Sequence, residues 1–272
     1  FNSYLEHLTY DKNGNIKTLV RNGDMDTDGM QFEQIIDELS YTYHPQNKNQ
    51  LMKVIDSTNN LKGFKDDSDG ITDTTDDYAY DLNGNMKSDT NKGITNIIYN
   101  HLNLPVEIVF PNGKINYLYN AIGQKVKKTV TEGTTITTTD YLSGFQYKNA
   151  VLQFFPHAEG YVNATQSGTS YVFNYVYNFT DHLGNIRLSY TKDPLTNVLK
   201  IIEENHYYPF GLVHSGYNSD KMMYSKEGST VKIKPLPPLF KSSFDKKYNG
   251  YELEEDLGKN TYAYGWRDYD PS

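Results

Sequence analysis

The acidic side chains offer the first chemistry to weigh. Asp24, Asp26 and Asp28 alternate ahead of Gly29, which is the first half of a calcium loop of the EF-hand kind. Calcium asks for several oxygens converging at about 2.3–2.6 Å and a bidentate acid at the twelfth loop position. That position is Ile35, with Glu33 and Asp37 as substitutes within reach, so a solvated acidic loop is the favoured reading. Asp66, Asp67 and Asp69 before Gly70 make a second acidic loop with a weaker claim on an ion. Glu203-Glu204 and the trio Glu252, Glu254, Glu255 could supply paired carboxylates for glycoside hydrolysis, which needs two acids about 5–9 Å apart across a cleft. A solvated rim is the plainer expectation. The seven histidines lack the i, i+4 spacing of a zinc helix, and there is no nucleophile elbow or phosphate loop. Tyr207-Tyr208-Pro209-Phe210 could stack on a sugar, but aromatics this dense usually pack on one another. No catalytic residue and no cofactor beyond that calcium loop is expected.

The elements that must position these groups are written in the composition. Among 272 residues there are 25 Tyr and 20 Gly, one Trp and no Cys. Tyrosine suits a half-buried pleated surface, its ring inward and its hydroxyl bonded; Asn, Asp and Gly supply the turns between short strands. A chain with this aromatic load is not a disordered one. A net charge of −8 argues against nucleic acid, which calls for a basic stripe. Without cysteine there are no disulfides or thiolate metal sites, and no apolar run approaches the roughly 18 residues of a membrane helix. The chain opens at Phe1 and shows no signal peptide, so it reads as an internal or processed piece of a longer protein.

Self-similarity is the strongest signal. Leu8-Thr9-Tyr10-Asp11-Lys12-Asn13-Gly14-Asn15-Ile16 matches Tyr78-Ala79-Tyr80-Asp81-Leu82-Asn83-Gly84-Asn85-Met86, with degenerate copies at Tyr117 to Gln124 (Tyr119, Gly123) and Phe179 to Ile186 (Asp181, Gly184). Tyr41-Thr42-Tyr43-His44 and Ile98-Tyr99-Asn100-His101 look like half-copies. In Tyr-x-Tyr-Asp the rings at i and i+2 share one face of a strand. Asp or Asn then opens the turn by bonding its own backbone, and glycine supplies the positive φ of a tight hairpin. Asn-Gly occurs five times, each a hairpin signal. Thr129 to Thr139 reads as a further hairpin. The best helix candidate is Met30 to Leu39, after the acidic start at Asp28. Residues 218–247, with seven Lys and Pro235, Pro237 and Pro238, read as an irregular surface insertion.

These motifs together resemble the YD repeats of the RHS family. Tyr80 to Met86, Asn91 to Thr95, Ile98 to Asn100 and Leu102 to Pro105 are similar to the Bacteroidota form, as are Asp181 to Arg187 and Tyr207 to Gly211. Tyr248-Asn249-Gly250-Tyr251-Glu252-Leu253 and Tyr264-Gly265-Trp266-Arg267-Asp268-Tyr269-Asp270-Pro271 resemble the start of the RHS-associated core. The resemblance implies a YD-repeat region over 1–217, the insertion at 218–247, and the opening of the core at 248–272. It implies an all-β fold in which hairpins form a curved, spiralling antiparallel sheet, part of a hollow shell around a C-terminal, toxin-like cargo. Family self-cleavage lies in the core beyond the Asp-Pro region, so none of it is carried over.

The expectation is therefore a non-enzymatic wall segment of a secreted or cell-surface protein, of the kind used in bacterial competition. Its partners would be the rest of its own polypeptide and the cargo, an export machine, and a neutralising protein for the cargo. Nucleic acid and membrane spans are not expected. Rival readings are a surface adhesion or glycan-binding module using Tyr-rich strands, a polysaccharide hydrolase, and a passenger of a secretion complex. From the lineage alone, Asp56-Ser57-Thr58 and Asp73-Thr74-Thr75 resemble O-glycosylation acceptors.

Overall fold

The computed structural model describes residues 4–24, 33–58, 60, 62–66, 75–193, 196–214, 222–227, 230–235 and 244–272. Among them there is no α-helix, and strands dominate. The first sheet holds β1 (Glu6–Tyr10), β2 (Ile16–Asp24), β3 (Glu33–Tyr43) and β4 (Leu51–Asp56) in chain order. A hairpin of β5 (Tyr78–Tyr80) and β6 (Met86–Asp89) follows. Eleven strands then pair in succession. They are β7 (Asn96–Tyr99), β8 (Pro105–Phe110), β9 (Gly113–Tyr119), β10 (Lys125–Glu132), β11 (Thr135–Leu142), β12 (Phe145–Lys148), β13 (Val151–His157), β14 (Gly160–Ser167), β15 (Ser170–Thr180), β16 (Ile186–Lys192) and β17 (Leu199–Glu204). A hairpin of β18 (Met222–Glu227) and β19 (Thr230–Pro235) precedes a small sheet of β20 (Glu252–Glu254), β21 (Thr261–Ala263) and β22 (Asp268–Tyr269). Every pairing is antiparallel between strands consecutive in sequence, so the chain is an all-β meander.

The repeat builds one recurring corner. Asp11 Oδ1 accepts the backbone N–H of Asn13 and Asn15 at 2.7 and 2.9 Å, and its Oδ2 accepts the Asn15 amide at 2.9 Å. Asp81 repeats this with Asn83 and Asn85, and Asp181 with Leu183 and Asn185. Asn120 bonds Ile122 and Gln124 in the same way, and Asn100 bonds Leu102 and Leu104. Gly14, Gly84, Gly123 and Gly184 take φ between 78 and 86°, and Asn103 stands in their place at φ 56°. The amides of Asn15 and Asn85 hold the Asp11 and Asp81 carboxyls below their ordinary range. Tyrosines then tie successive corners together. Tyr43, Tyr99 and Tyr207 donate their hydroxyls to the carbonyls of Ile16, Met86 and Ile186 at 2.9, 2.7 and 3.0 Å. Each of those carbonyls lies on the first residue of the strand leaving an Asp corner.

Several expectations are corrected. The Asp corners are not two-residue hairpins: Tyr10 pairs with Ile16 and Tyr80 with Met86, each beside a β-bulge, so only the glycine of each Asn-Gly needs positive φ. Asn22-Gly23 is no turn and lies inside β2, where a Cβ on Gly23 would meet Ile36 Cγ2 at 2.7 Å. The helix candidate Met30 to Leu39 is largely β3, whose Ile36 and Leu39 are buried in the sheet; residues 30–32 lie outside the described ones. The stretch expected to be irregular contains the β18–β19 hairpin. Finally, Tyr10, Tyr80 and Tyr119 do not share one hydrogen-bonded ladder, which breaks on either side of the β5–β6 hairpin.

Packing carries the wall across those breaks. Leu19, Leu39, Val54, Phe64 and Tyr78 form one core, and Ile97, Ile108, Phe110, Ile115, Tyr117 and Val130 another, with Met86 packed against both. A third joins Phe154, Tyr161, Val176, Ile186 and Ile202 to Phe244. The loop after β17 returns to the first sheet: Tyr208 donates its hydroxyl to the Asn22 carbonyl at 2.7 Å, and the Arg21 guanidinium lies 5.1 Å from the centre of its ring. The wall is rolled, not flat.

Two glycines separate conformational from steric demands. At Gly84 a Cβ would meet nothing within 4 Å but would carry φ +83°, whereas at Gly113 it would sit 2.0 Å from the Thr131 carbonyl oxygen. Gly84→Ala is expected to cost about 1–2 kcal/mol and Gly113→Ala distinctly more, as read by urea unfolding.

Candidate functional site

Residues 244–272 pack against one face of the long sheet, and their meeting place with β9, β10 and β11 holds the densest chemistry. Glu252 and Glu254 sit two apart on β20, so both face the wall. On β10 a period of two would send Lys125 and Lys128 to opposite faces; the bulge between Lys125 and Lys127 turns both inward. Lys125 Nζ lies 2.8 Å from Glu252 and 2.5 Å from Glu254. Lys128 Nζ lies 2.7 Å from Asp256 and 3.4 Å from Glu252. Lys259 closes the cluster at 2.5 Å from Glu254 and 2.8 Å from Asp268. Tyr117 donates to Glu254 and Tyr141 to Glu252, each at 2.7 Å. Three ammonium groups thus face four carboxylates around two tyrosine rings, over which Lys125 and Lys259 also lie.

Burial alone would push the Glu254 carboxyl up, but Lys259, Lys125 and Lys128 outweigh it and hold Glu254 well below the usual carboxylate range. Burial likewise opposes the charge on Lys128 and Lys259, and the surrounding carboxylates reverse that and raise both. Burial, then the facing carboxylates, raise the Tyr117 and Tyr141 hydroxyls. Glu254 is therefore held ionised beside charged Lys128 and Lys259. Glu254 held in this way cannot donate a proton near neutral pH, the task of a glycosidase acid.

Around the cluster the same segment is fastened at many points. Phe244 stacks on Tyr161 with ring centres 4.0 Å apart, and meets Phe154 edge-on. Lys247 pairs with Glu203 at 2.7 Å, and the Asn249 N–H donates to the corner residue Asn185 at 2.8 Å. Tyr262 and Tyr269 donate to the carbonyls of Gly211 and Phe210. Lys92, beside β6, reaches Asp270 at 3.0 Å. A second buried charge group, Arg21 with Glu6 and Asp37 at 2.9 and 2.6 Å, sits where the first sheet meets Tyr208.

The expected solvated rim holds for the exposed Glu255 and is overturned for Glu203 and Glu254, which are buried and paired with lysines because the wall and the C-terminal segment pack on each other there. Glu204 pairs with His206. Tyr207 and Tyr208 are pinned by their hydroxyls and Tyr208 is buried, so they offer no open platform. Of the calcium candidates, Asp24 ends β2 paired with Glu33, while Asp26 and Asp28 lie outside the described residues. Asp66 is buried and accepts the Asp56 N–H; Asp67 and Asp69 are outside. Thr58 spends its hydroxyl on Asp56 and the Ile36 carbonyl. Among the described residues no three His, Asp or Glu side chains are grouped to hold a metal ion, and no helix is long and apolar enough to cross a membrane. Sequence reasoning missed the lysines altogether: Glu252 and Glu254 stand at strand spacing, but Lys125 and Lys128 are three apart and share a face only through the bulge.

No protein-family model matches the chain, and no curated protein matches it in sequence. Among solved structures it is similar to a TcdB2-TccC3-TEV crystal structure at 12% identity and TM-score 0.47, covering 99% of this chain and 17% of that one. It is also similar to TcdB2-TccC3 at 13% identity and TM-score 0.44, covering 98% and 16%, and to a Photorhabdus luminescens Tc holotoxin pore at 12% and 0.39, covering 99% and 16%. The chain spans at most 17% of the length of these three, and what those assemblies do is a property of the longer chains.

Removing one member of a buried ion cluster strands the others. Glu254→Gln is expected to cost about 3–5 kcal/mol, whereas Lys127→Ala, which breaks a half-exposed pair with Asp140, stays within about 0.5 kcal/mol, both by urea unfolding at pH 7. Because the folded-state pKa of Glu254 is depressed, its contribution is complete above the ordinary carboxylate range and is lost as pH falls through the folded value; the Glu254→Gln profile is expected to be flatter on that acid limb. Asp89 has the opposite sign. Burial, opposed by Lys92 and reinforced by Asp270, pushes it up to about 7, so stability falls as pH rises from the unfolded value, near 4, to about 7. Asp89→Asn is expected to shrink that fall in pH-dependent melting curves, the remainder coming from groups such as Asp245, which burial pushes up to about 6.

Proposed function

We propose that this chain is a non-catalytic wall segment of a hollow RHS/YD-repeat shell, in which strands wind around and enclose another part of the same polypeptide. One observation carries the reading. The meander turns one face onto residues 244–272 and bonds them through the buried Lys125, Lys128, Lys259 and Glu254 cluster, a contact that supports a wall built to hold a segment of its own chain. The recurring Asp and Asn corners support it. They are a repeat that recurs along the meander, with Tyr43, Tyr99 and Tyr207 reaching back to the three Asp corners, as a wall of extendable length requires.

In this reading the shell isolates a C-terminal, toxin-like cargo until release, and the Bacteroidota-type repeats mark the lineage. The protein would be secreted or displayed at the cell surface for use against competing bacteria. An export machine and a neutralising protein would be its partners outside the polypeptide. The chain performs no chemical step of its own, and calcium at Asp24, Asp26 and Asp28 is no part of the mechanism.

Protease protection in the complete gene product tests this. Limited proteolysis followed by mass spectrometry is expected to spare the segment joined to the wall's interior while exposed loops are cut, and to cut it once Glu254→Gln loosens the wall. Cleavage of that segment at the rate of exposed loops in the unaltered protein would sink the container reading.

A further inference from the structure

The loop after β17 carries two histidines that neither the ion cluster nor the repeat corners explain. It closes on itself: the Asn205 N–H donates to the Arg187 carbonyl at 2.8 Å, Tyr207 bridges to Val213, and the His214 N–H donates to the His206 carbonyl at 2.9 Å. His214 thereby enters a stack that joins the loop to the first sheet. Its ring lies parallel to Tyr4 with centres 4.0 Å apart, and meets Tyr208 at 4.4 Å with a tilt of 60°. Tyr4 also meets Tyr208 edge-on at 6.0 Å. The same loop receives the C-terminal segment, since Tyr248, Tyr262 and Tyr269 donate to the carbonyls of Pro209, Gly211 and Phe210. Among the described residues no strand pairing joins the first sheet to the long one. The seam between them rests on packing and on single contacts such as this stack.

We propose that His214 is an acid-released latch: uncharged, it clamps the β17 loop onto the first sheet, and a proton on its ring lets the two part. The surroundings are already supplied with cations. Arg21 from β2 lies 5.1 Å from the Tyr208 ring, and Arg187 from β16 lies 5.5 Å from the Tyr207 ring. The carboxylates nearby are engaged: Glu6 from β1 and Asp37 from β3 pair with Arg21, and Glu204 from β17 pairs with His206 at 2.8 Å. Cation–π attraction to Tyr4 would soften the cost of a charge on His214, but Tyr208 already serves Arg21. Burial first, then His206, Arg187 and Arg21, push His214 from its ordinary 6.5 down to about 4. The folded-state value is thus depressed, so the stack's contribution is complete above about 6.5 and is lost as pH falls toward 4. Asp37 has the opposite sign, raised chiefly by burial, and for that reason His214 must be isolated by substitution. Tyrosine or phenylalanine would stack equally well; of the aromatic rings only histidine gains a charge in this range.

The chain has no cysteine, so spin labels on His7→Cys in β1 and Phe210→Cys in the loop, both exposed, report the seam by double electron–electron resonance. Above pH 6.5 the label separation is expected to stay fixed. As pH falls from 6.5 to 4 it is expected to lengthen by more than one strand spacing, about 5 Å. His214→Phe keeps a ring in the stack and cannot take the proton, so it is expected to hold the neutral separation throughout. Circular dichroism checks that this variant folds; His214→Gln, equally unable to gain charge, gives the same reading if it does not. An unchanged separation in the parent chain, the same lengthening in the His214 variants, or loss of the strand signal at the same midpoint would each overturn the latch. The latch is a property of the seam and does not rest on what the wall encloses, so its failure leaves the proteolysis test untouched.

Discussion

A carboxylate withdrawn from water must be compensated by charges and donors that are already in place, and Glu254 imposes that condition on the whole molecule. Its two oxygens take Lys125, Lys259 and Tyr117 at 2.5–2.7 Å, and those groups come from three places in the chain. Lys125 reaches it only through a bulge at the start of β10, Tyr117 only if β9 shows its inner face, and Lys259 only after the turn that follows β20. Removing one of these partners by substitution while the layers stay packed strands the rest, a cost of several kcal/mol per ion. The cluster thus ties the chemistry of one layer to that of the other.

The rest of the architecture supplies the precision this needs. A meander is weakly specified when its strands are polar, because a slip of one residue exchanges the two faces. Here each corner sets its own register. An Asp or Asn side chain counts four residues forward through its hydrogen bonds, glycine or Asn103 closes the loop, and a bulge fixes the exit. At the three Asp corners a later tyrosine then bonds the first carbonyl of the outgoing strand, fixing the corner against the chain that follows. Asn85 adds a lateral tie to Asn103 at 2.9 Å, joining the corner of the β5–β6 hairpin to that of the long sheet.

Sidedness follows from the same devices. Inward, the long sheet carries Ile108, Ile115, Tyr117, Lys128 and Val176, all buried against its own chain. Outward it carries exposed ion pairs such as Lys127 with Asp140 on one stretch and the aromatic strip of β15 on another. Residues 244–272 pack on part of the inner face, and the edges of the sheets carry unpaired backbone groups that invite further strands.

The amino-acid sequence by itself determined the class of fold and the position of the corners. Tyr-x-Tyr-Asp followed by glycine is a local instruction, since a side chain bonding its own backbone and a residue tolerating positive φ need no distant partner. For that reason Asp11, Asp81, Asn120 and Asp181 were readable one by one, while the Asn100 corner showed only half its signature because Asn103 replaces glycine. Local reading failed where neighbours decide. The pattern at Ile35, Ile36 and Leu39 fits either a helix or a strand, and pairing with β2 and β4 selects the strand. Whether Glu203 and Glu254 meet water or lysine depends on a layer folded over them from as many as 137 residues away. Only the tertiary structure brings those charges together, because long-range electrostatic and packing energies leave no periodic trace in the chain.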